Sequence, residues 1–554
     1  MAPGRFEPIV ASARTNPLRR FRLIALAPVL ALLALSAWAF ASPMGAAPDD
    51  DYHLVSIWCS TDNPAYCQPG ATESTRLVPQ ALLSSPCYAF FSEESAACQD
   101  RIDFGSTSLV ETDRGNFEGE YPPLYYSVMS VFVGDDTTFS VMAMRLFNVF
   151  LFVALTAALY VLLPVRRRPV LVWGWLVTTM PLGVFLLASN NPSGWAVAGV
   201  GSAWLALLSY YEAQSRLVRA ASAVLVVISV LMAAGSRGDS ALYVVGALGV
   251  AIILVFENTR RFWLLSLLPV AMGVVAGVFF FSARQTSAGI NGFAGAEAGP
   301  AAAQAATAAD SLAGFGLLAY NLLNVPSLWI GAFGGWDLGW LDTPIPASVV
   351  FFGIAAFVAV GFAGLGVLNW RKAFVVASVG FVLWILPTYV LTQGGDKVGE
   401  QVQPRYILPL IVLMGGLLVV QAGRKSVALG RVQTVAVVVA LSAANLVALH
   451  MNMRRYVTGN DVPGWNLNAG AEWFWSGAPA PMVVWVVGSL AFAGMVVILA
   501  REIYIAPLVA NKNATGATAA TDAGAGAGAD SGALRDAEAS AALLAASGVT
   551  HVPA

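Results

Sequence analysis

Charge is what this chain has least of. Only 11% of its 554 residues are charged, where soluble domains carry about 25%, so it lacks the polar surface of a water-soluble body of this size. Histidine is close to absent, with His53, His450 and His551 the full set, which leaves little imidazole for catalysis or metal binding. Cysteine is restricted to Cys59, Cys67, Cys87 and Cys98, and no C-x-x-C pair supports a thiolate metal site. There is no Walker-type glycine loop, no HExxH and no convincing Ser-His-Asp order, which argues against nucleotide-driven transport and zinc proteolysis. Nucleic acid is not an expected partner of a chain with a formal net charge of -2.

What the chain has is apolar length. Hydrophobic residues make up 57%, mean hydropathy is +0.69, and runs of about 20 apolar residues, enough to cross a ~30 Å hydrocarbon core, recur throughout. They lie near Leu23–Phe40, Val141–Leu163, Val170–Leu187, Trp195–Tyr211, Ala220–Ala234, Ala241–Phe256, Phe262–Phe281, Ala347–Leu368, Ala373–Leu391, Ile407–Val420, Val435–His450 and Val483–Leu499. In lipid each backbone group must be satisfied within its own segment, so these runs are helices. The expectation is an all-α polytopic membrane protein with about twelve transmembrane helices.

Charge sets the orientation. With residues 1–22 cytoplasmic, the basic groups Arg166–Arg168, Arg216/Arg219, Arg260/Arg261, Arg371/Lys372, Arg424/Lys425/Arg431 and Arg501 all fall inside. So do the arginines before the first span, Lys512 and Arg535, which makes 20 of 30 basic residues. Of 32 acidic residues, 24 fall outside. Basic asymmetry orients membrane proteins, so a multi-pass protein of the bacterial plasma membrane with both termini cytoplasmic is expected. Read instead as a signal peptide cleaved after Ala39-Phe40-Ala41, the first run is longer than the usual h-region.

The transmembrane domain is expected over residues 23–506. Its first extracytoplasmic loop, 43–140, holds all four cysteines, which reads as two disulfides; three pairings are possible, and Cys59–Cys67 with Cys87–Cys98 is the most local. A second outer segment, 282–346, opens with the Ala/Gly stretch Ala294–Ala309. It continues as Leu312–Phe333, interrupted by Asn321, Asn324 and Pro326. Counted as a full span, that piece would invert the later basic loops, so it reads as re-entrant or interfacial. The Ala/Gly-rich residues 507–554 read as a disordered cytoplasmic tail.

Polar residues of interest collect on the outer side. Pro48-Asp49-Asp50-Asp51-Tyr52-His53 follows the first span. Three adjacent carboxylates repel one another, so one can serve as a general base or two can hold a divalent cation; the same turn also reads as an acidic loop start and nothing more. Glu118 and Glu120 precede Tyr121-Pro122-Pro123-Leu124-Tyr125-Tyr126. The glutamates suit sugar hydroxyls, while tyrosines at this depth also serve as interface anchors. Arg145, Arg237, Arg405 and Arg454/Arg455 are outer-face arginines near helix ends. Arg405, in Gln403-Pro404-Arg405-Tyr406, is placed to grip a lipid phosphate or to pair with an outer carboxylate. Ser189-Asn190-Asn191-Pro192-Ser193 reads as a hydroxyl-binding turn or a plain helix cap. Trp336-Asp337-Leu338-Gly339-Trp340-Leu341-Asp342 mixes aromatics with carboxylates and reads as a carbohydrate contact or part of an aromatic belt.

In order, Pro48-Asp49-Asp50 with His53, Pro122-Pro123-Leu124-Tyr125-Tyr126, Arg145, Asn191-Pro192, Ser236-Arg237 and Gln403-Pro404-Arg405-Tyr406 resemble a bacterial family of polytopic membrane proteins of unknown function. That family is in turn similar to the GT-C glycosyltransferases. The resemblance spans about residues 20–500. It implies a GT-C-like bundle that transfers sugar from a polyprenyl-phosphate donor to a cell-envelope glycan or glycolipid on the extracytoplasmic face. Asp49 or Asp50 would be the base, supported by His53, and Arg405, then Arg237 and Arg145 with Tyr406, would hold the donor phosphate. Glu118, Glu120, Tyr125, Tyr126, Asn191, Trp336 and Asp337 would contact substrate. No cofactor is required; Asp49, Asp50 and Asp51 are the ligands of any divalent cation. Two positions depart from the family pattern: Ser193 stands where an acid tends to follow Asn-Pro, and Asp50 where Glu is usual.

A composition rich in Ala, Gly and Val suggests a high-GC actinobacterium, which makes arabinofuranose or mannose the expected sugar by analogy. The competing expectations are a transporter or flippase of polyprenyl-linked glycans and a non-catalytic envelope-assembly protein. They differ in whether the acidic turn and Arg405 meet.

Overall fold

The computed structural model describes residues 23–106, 108–284, 314–421 and 429–503. Expectations for residues 1–22, Ala294–Ala309, Arg424/Lys425 and the tail beyond 506 fall outside them. Chain contacts define one unit, Met1–Leu499, and a second, Ala500–Ala554, of which only the first four residues are described.

The principal helices are α1 (Leu26–Phe40), α2 (Asp50–Cys59), α3 (Leu124–Met129), α4 (Thr137–Leu162), α5 (Arg168–Leu176), α6 (Leu182–Leu187), α7 (Pro192–Glu212), α8 (Arg216–Ala234) and α9 (Gly238–Val255). They continue as α10 (Arg260–Ser282), α11 (Phe315–Gly335), α12 (Ala347–Leu365), α13 (Trp370–Gly394), α14 (Pro404–Val419), α15 (Arg431–Val457) and α16 (Pro481–Ile503). Among the described residues, nine helices are long and apolar enough to cross a membrane: α4, α8 to α13, α15 and α16. Their outward residues, such as Phe139, Val161, Phe281 and Phe362, are apolar and exposed, as lipid-facing surfaces must be.

Nine differs from the expected dozen for identifiable reasons. The run Val170–Leu187 is not one helix but α5 and α6, interrupted at Val177–Pro181. Pro181 brings no amide hydrogen, and as the Thr178 amide turns to the Trp175 carbonyl (3.3 Å), the Thr178 hydroxyl donates to the Gly174 carbonyl (2.6 Å) and satisfies a group the helix no longer serves. α7 has the length, 21 residues, but small residues dilute its hydropathy. They are there for packing: a Cβ on Gly199 would lie 2.5 Å from the backbone of Ala233 in α8, the close approach that small residues permit between membrane helices. α1 and α14 are apolar but shorter.

α11, the expected re-entrant piece, is long and apolar enough to cross by composition. Its contacts run beside part of the bundle. Asn321 donates to the Asp396 carbonyl (2.9 Å) just past α13, and Trp329 donates to the Leu383 carbonyl (3.3 Å). A Cβ on Gly353, six residues into α12, would meet Phe333 at 3.1 Å. α11 therefore accompanies one end of α12 and α13.

Basic residues mark the other end. Arg166 and Arg167 pair with Glu212 at the close of α7 (3.0 and 2.7 Å). Lys372 donates to the Gly364 and Val367 carbonyls (2.6 and 3.0 Å), and a Cβ on Gly364 would collide with Leu418 at the end of α14. The starts of α7, α9 and α14 thus lie at the opposite end, together with the first loop. That loop carries a small antiparallel sheet, β1 (Gln68–Pro69), β2 (Arg76–Pro79) and β3 (Leu109–Thr112). Its cysteines form the local pairs Cys59–Cys67 and Cys87–Cys98. Leu54, Ile57 and Trp58 of α2 pack with Tyr125, Tyr126 and Met129 of α3 against Val141 and Met144 of α4, which seats the acidic turn on the end of the bundle.

Candidate functional site

The site is built on the turn that leads from α1 into α2. Gly45 has φ +79°, and a Cβ there would lie 2.7 Å from Ser85 Oγ, so the turn needs glycine. Asp49 follows in the left-handed region at φ 59°, a conformation that is strained for a residue with a Cβ. Its carbonyl accepts from the amides of Tyr52 and His53 (3.0 and 2.8 Å), while the Pro48 carbonyl accepts from Asn191 Nδ2 (2.8 Å) and Arg405 Nη1 (3.1 Å). One carbonyl thereby ties the first loop to the starts of α7 and α14. Asn191 also caps α7, its Oδ1 accepting from the Ser193 amide at 2.9 Å, as the helix-cap expectation for it requires.

The three acids point three ways. Asp49 Oδ2 accepts from Arg405 Nη2 at 2.5 Å. Asp51 takes a two-pronged bond from Arg114 (3.0 and 2.8 Å). Asp50 is fully buried, accepts from the Ala47 amide through Oδ2 (3.2 Å), and has no partner for Oδ1. Their divergence does not form a cation cage, and no group of three or more His, Cys, Asp or Glu suited to a metal occurs among the described residues.

Environment separates the first two acids. Burial is the largest single influence on Asp49 and acts to raise it, but the Arg405 charge and hydrogen bond, with His53 and Arg114, together outweigh it and hold the carboxyl at about 2. Burial pushes Asp50 up to about 7 despite Arg145. His53 is fully buried, and burial drives it down to about 3, so the ring is neutral at physiological pH. Its Nδ1 bonds Tyr126 Oη at 3.0 Å, and its Nε2 has no partner.

Behind Asp49 stands a short stack of cations and rings. Arg405 lies over the Tyr406 ring (5.0 Å to the centroid), and Arg237 lies over the rings of Tyr406 (4.6 Å) and Tyr121 (5.6 Å). Each guanidinium has its own carboxylate: Arg237 grips Asp239 with Nε and Nη2 (2.9 and 2.8 Å). Arg237 Nη1 is 3.5 Å from Ser193 Oγ, and the counter-charge of Arg237 comes from Asp239. Beside Arg405 a small open cleft is lined in part by Pro48, Leu182, Trp336, Asp337 and Gln403.

The structure thus unites Asp49, His53, Tyr126, Asn191, Arg237, Arg405 and Tyr406, with Trp336 and Asp337 across the cleft. It does not unite all the candidates. Arg145 is buried and donates to the carbonyls of Ala39, Ser42 and Pro43 (3.1, 2.6 and 2.7 Å), which closes the end of α1. Tyr125 packs edge-on against Trp195. Glu118 pairs with Arg284 at the surface, and Glu120 accepts from Tyr52 Oη at 2.5 Å. Arg454 and Arg455 bind loop carbonyls, and Arg455 also pairs with Asp342. Two residues were not singled out from sequence: Tyr121, visible only as the head of the Pro-Pro motif, and Arg114, which no motif marks.

A family model described as "Predicted membrane protein (DUF2142)" matches residues 32–414. No curated protein and no solved structure matches the chain.

Proposed function

The chain belongs to this family of predicted membrane proteins, and from that premise we propose that it is a membrane glycosyltransferase using a polyprenyl-phosphate sugar donor. The acceptor is a cell-envelope glycan or glycolipid. The reading takes the site end of the bundle as extracytoplasmic, because the basic residues of the short loops between helices gather at the other end and such loops face the cytoplasm. It takes the fold as a GT-C-like bundle crossing about twelve times, with α1, α5/α6, α7 and α14 as crossings and α11 as a re-entrant segment.

The observation that carries it is the meeting of Asp49 with Arg405, 356 residues apart in sequence, beside a second stacked arginine. Two buried cations at a helix-bundle mouth suit a phosphate entering from lipid. In the reaction Asp49 takes the proton of an acceptor hydroxyl, whose oxygen bonds to the anomeric carbon of the donor. The bond from that carbon to the phosphate oxygen breaks, and its electron pair leaves with the polyprenyl phosphate. Arg405 and Arg237 stabilise the charge that develops there. Asp49, with 35% of its side chain exposed, is the base; Asp50, fully buried, supports the turn. His53 positions Asp49 through its amide and packing. Trp336 and Asp337 line the sugar side of the cleft.

The test is transfer by the purified protein with synthetic polyprenyl-phosphoryl arabinofuranose and mannose. Wild type should transfer from one of them, and Asp49→Asn should lose at least about 100-fold, the scale of one general base. Full activity in Asp49→Asn would remove the base assignment. A wild type inert with both donors while moving polyprenyl-linked glycan across vesicles would favour transport instead.

A further inference from the structure

Resting on the reading above, we propose that the Asp49–Arg405 ion pair is a latch: Asp49 occupies the seat of the ligand's phosphate, and a phosphate ester binds by displacing it. Displacement then frees the carboxylate for its work as a base.

Exposure sets the order of approach. Arg405 is 3% exposed and the Asp49 side chain 35%, so the carboxylate stands on the solvent side of the guanidinium. An anion coming from the mouth reaches Arg405 by replacing Asp49.

The present seat is also incompletely filled. A guanidinium offers Nε and Nη2 as a fork that suits two oxygens. Arg237 uses that fork fully on Asp239. Arg405 gives Asp49 only Nη2, and its buried Nε has no partner. An unpaired buried donor is costly. A phosphate ester presents several acceptor oxygens, so it can take both donors where the carboxylate takes one. The Tyr406 ring, which faces both guanidinium groups, leaves the second arginine close to the same seat.

Asp49 has a second place to go. Its Oδ1 is 3.7 Å from Arg114 Nη2, and Arg114 is already anchored on Asp51 (2.8 Å). The backbone of the turn is held by Pro48, Tyr52 and His53, so the exchange needs only a side-chain rotation. The consequence is chemical. While Arg405 holds it, Asp49 is weakly basic; once phosphate takes Arg405, the carboxylate faces an anion and shares only the half-exposed Arg114 with Asp51, so its basicity rises. Base strength thereby becomes conditional on donor binding, which protects the site from idle proton transfer.

The experiment is equilibrium binding of farnesyl phosphate and, separately, inorganic phosphate to full-length protein in detergent, with wild type, Asp49→Asn and Asp49→Ser compared. Removing the competing anion should tighten farnesyl phosphate binding by at least about tenfold in both variants, although both lose transfer. A gain confined to farnesyl phosphate identifies a lipid phosphate as the occupant, and an equal gain for inorganic phosphate identifies free phosphate; either supports the latch. Unchanged or weaker binding of both probes in both variants overturns it, even if wild type transfers sugar. Sugar transfer by wild type judges the functional reading separately.

Discussion

Asp342→Ala should be among the most damaging single substitutions outside the mouth of the site. Asp342 Oδ2 accepts from Arg455 Nη2 and from the Phe90 amide (2.8 and 2.9 Å), with side-chain exposures of 0% for Arg455 and 5% for Asp342. Truncation leaves a buried guanidinium with only carbonyl partners, Tyr88 and Glu94. Breaking a buried pair from one side costs about 3–5 kcal/mol, whereas an exposed pair is worth about 0–1. The damage should spread to the loop bearing Trp336 and Asp337, because Asp342 joins it to α15 and the first loop. Unfolding in mixed micelles titrated with SDS measures the loss. Asp342→Leu combined with Arg455→Met should recover much of it, since removing both charges removes the penalty of the unpaired one. A loss under about 1 kcal/mol, or a double variant no better than the single, would refute the argument.

Two further outcomes follow from other parts of the loop. Asp50 is raised in the fold from 3.8 to about 7, so the folded protein keeps a proton that the unfolded chain releases, and stability falls as pH rises from about 4 to 7. Asp50→Asn should therefore be neutral at pH 4 and gain stability that levels off above pH 7, at most roughly 4 kcal/mol; thermal melts across that range check it, and a pH-independent difference counts against it. Reducing Cys59–Cys67 and Cys87–Cys98, which close loops of 8 and 11 residues, should cost about 2.5 kcal/mol each. Melts with and without reductant, against Cys-to-Ser variants, measure this, and an unchanged midpoint would place the loop's stability in its packing alone.

Much of the architecture is legible in the sequence because lipid simplifies the problem: apolar length gives helices, and the basic residues give their order. Where that logic stopped, side chains were answering local backbone needs. Nothing in Val170–Leu187 announces that the Thr178 hydroxyl will satisfy a broken helix, since the same residue sits easily in an unbroken one. Arg145 looks like a ligand for phosphate because arginines on that side are few, yet the carbonyls that end α1 need donors of their own and lie nearer. Arg114 reaches Asp51 across 63 residues, a distance that loop packing sets and no spacing rule reports. For Arg405 a carboxylate partner is legible as one of two readings, but that the partner is Asp49, 356 residues away, is again set by packing that no spacing rule reports.

The Pro48 carbonyl, held by Asn191 and Arg405, also has a meaning for biogenesis. The acidic turn is made early in synthesis, but Arg405 is translated 356 residues after Asp49. At about 5–20 residues per second this is a wait of roughly 20–70 s. Through that interval Asn191, once α7 is inserted, can hold the turn alone. The anion seat closes only when α14 arrives, so a nascent chain carries the acid long before it carries the arginine, and the pair is completed among the last steps of assembly.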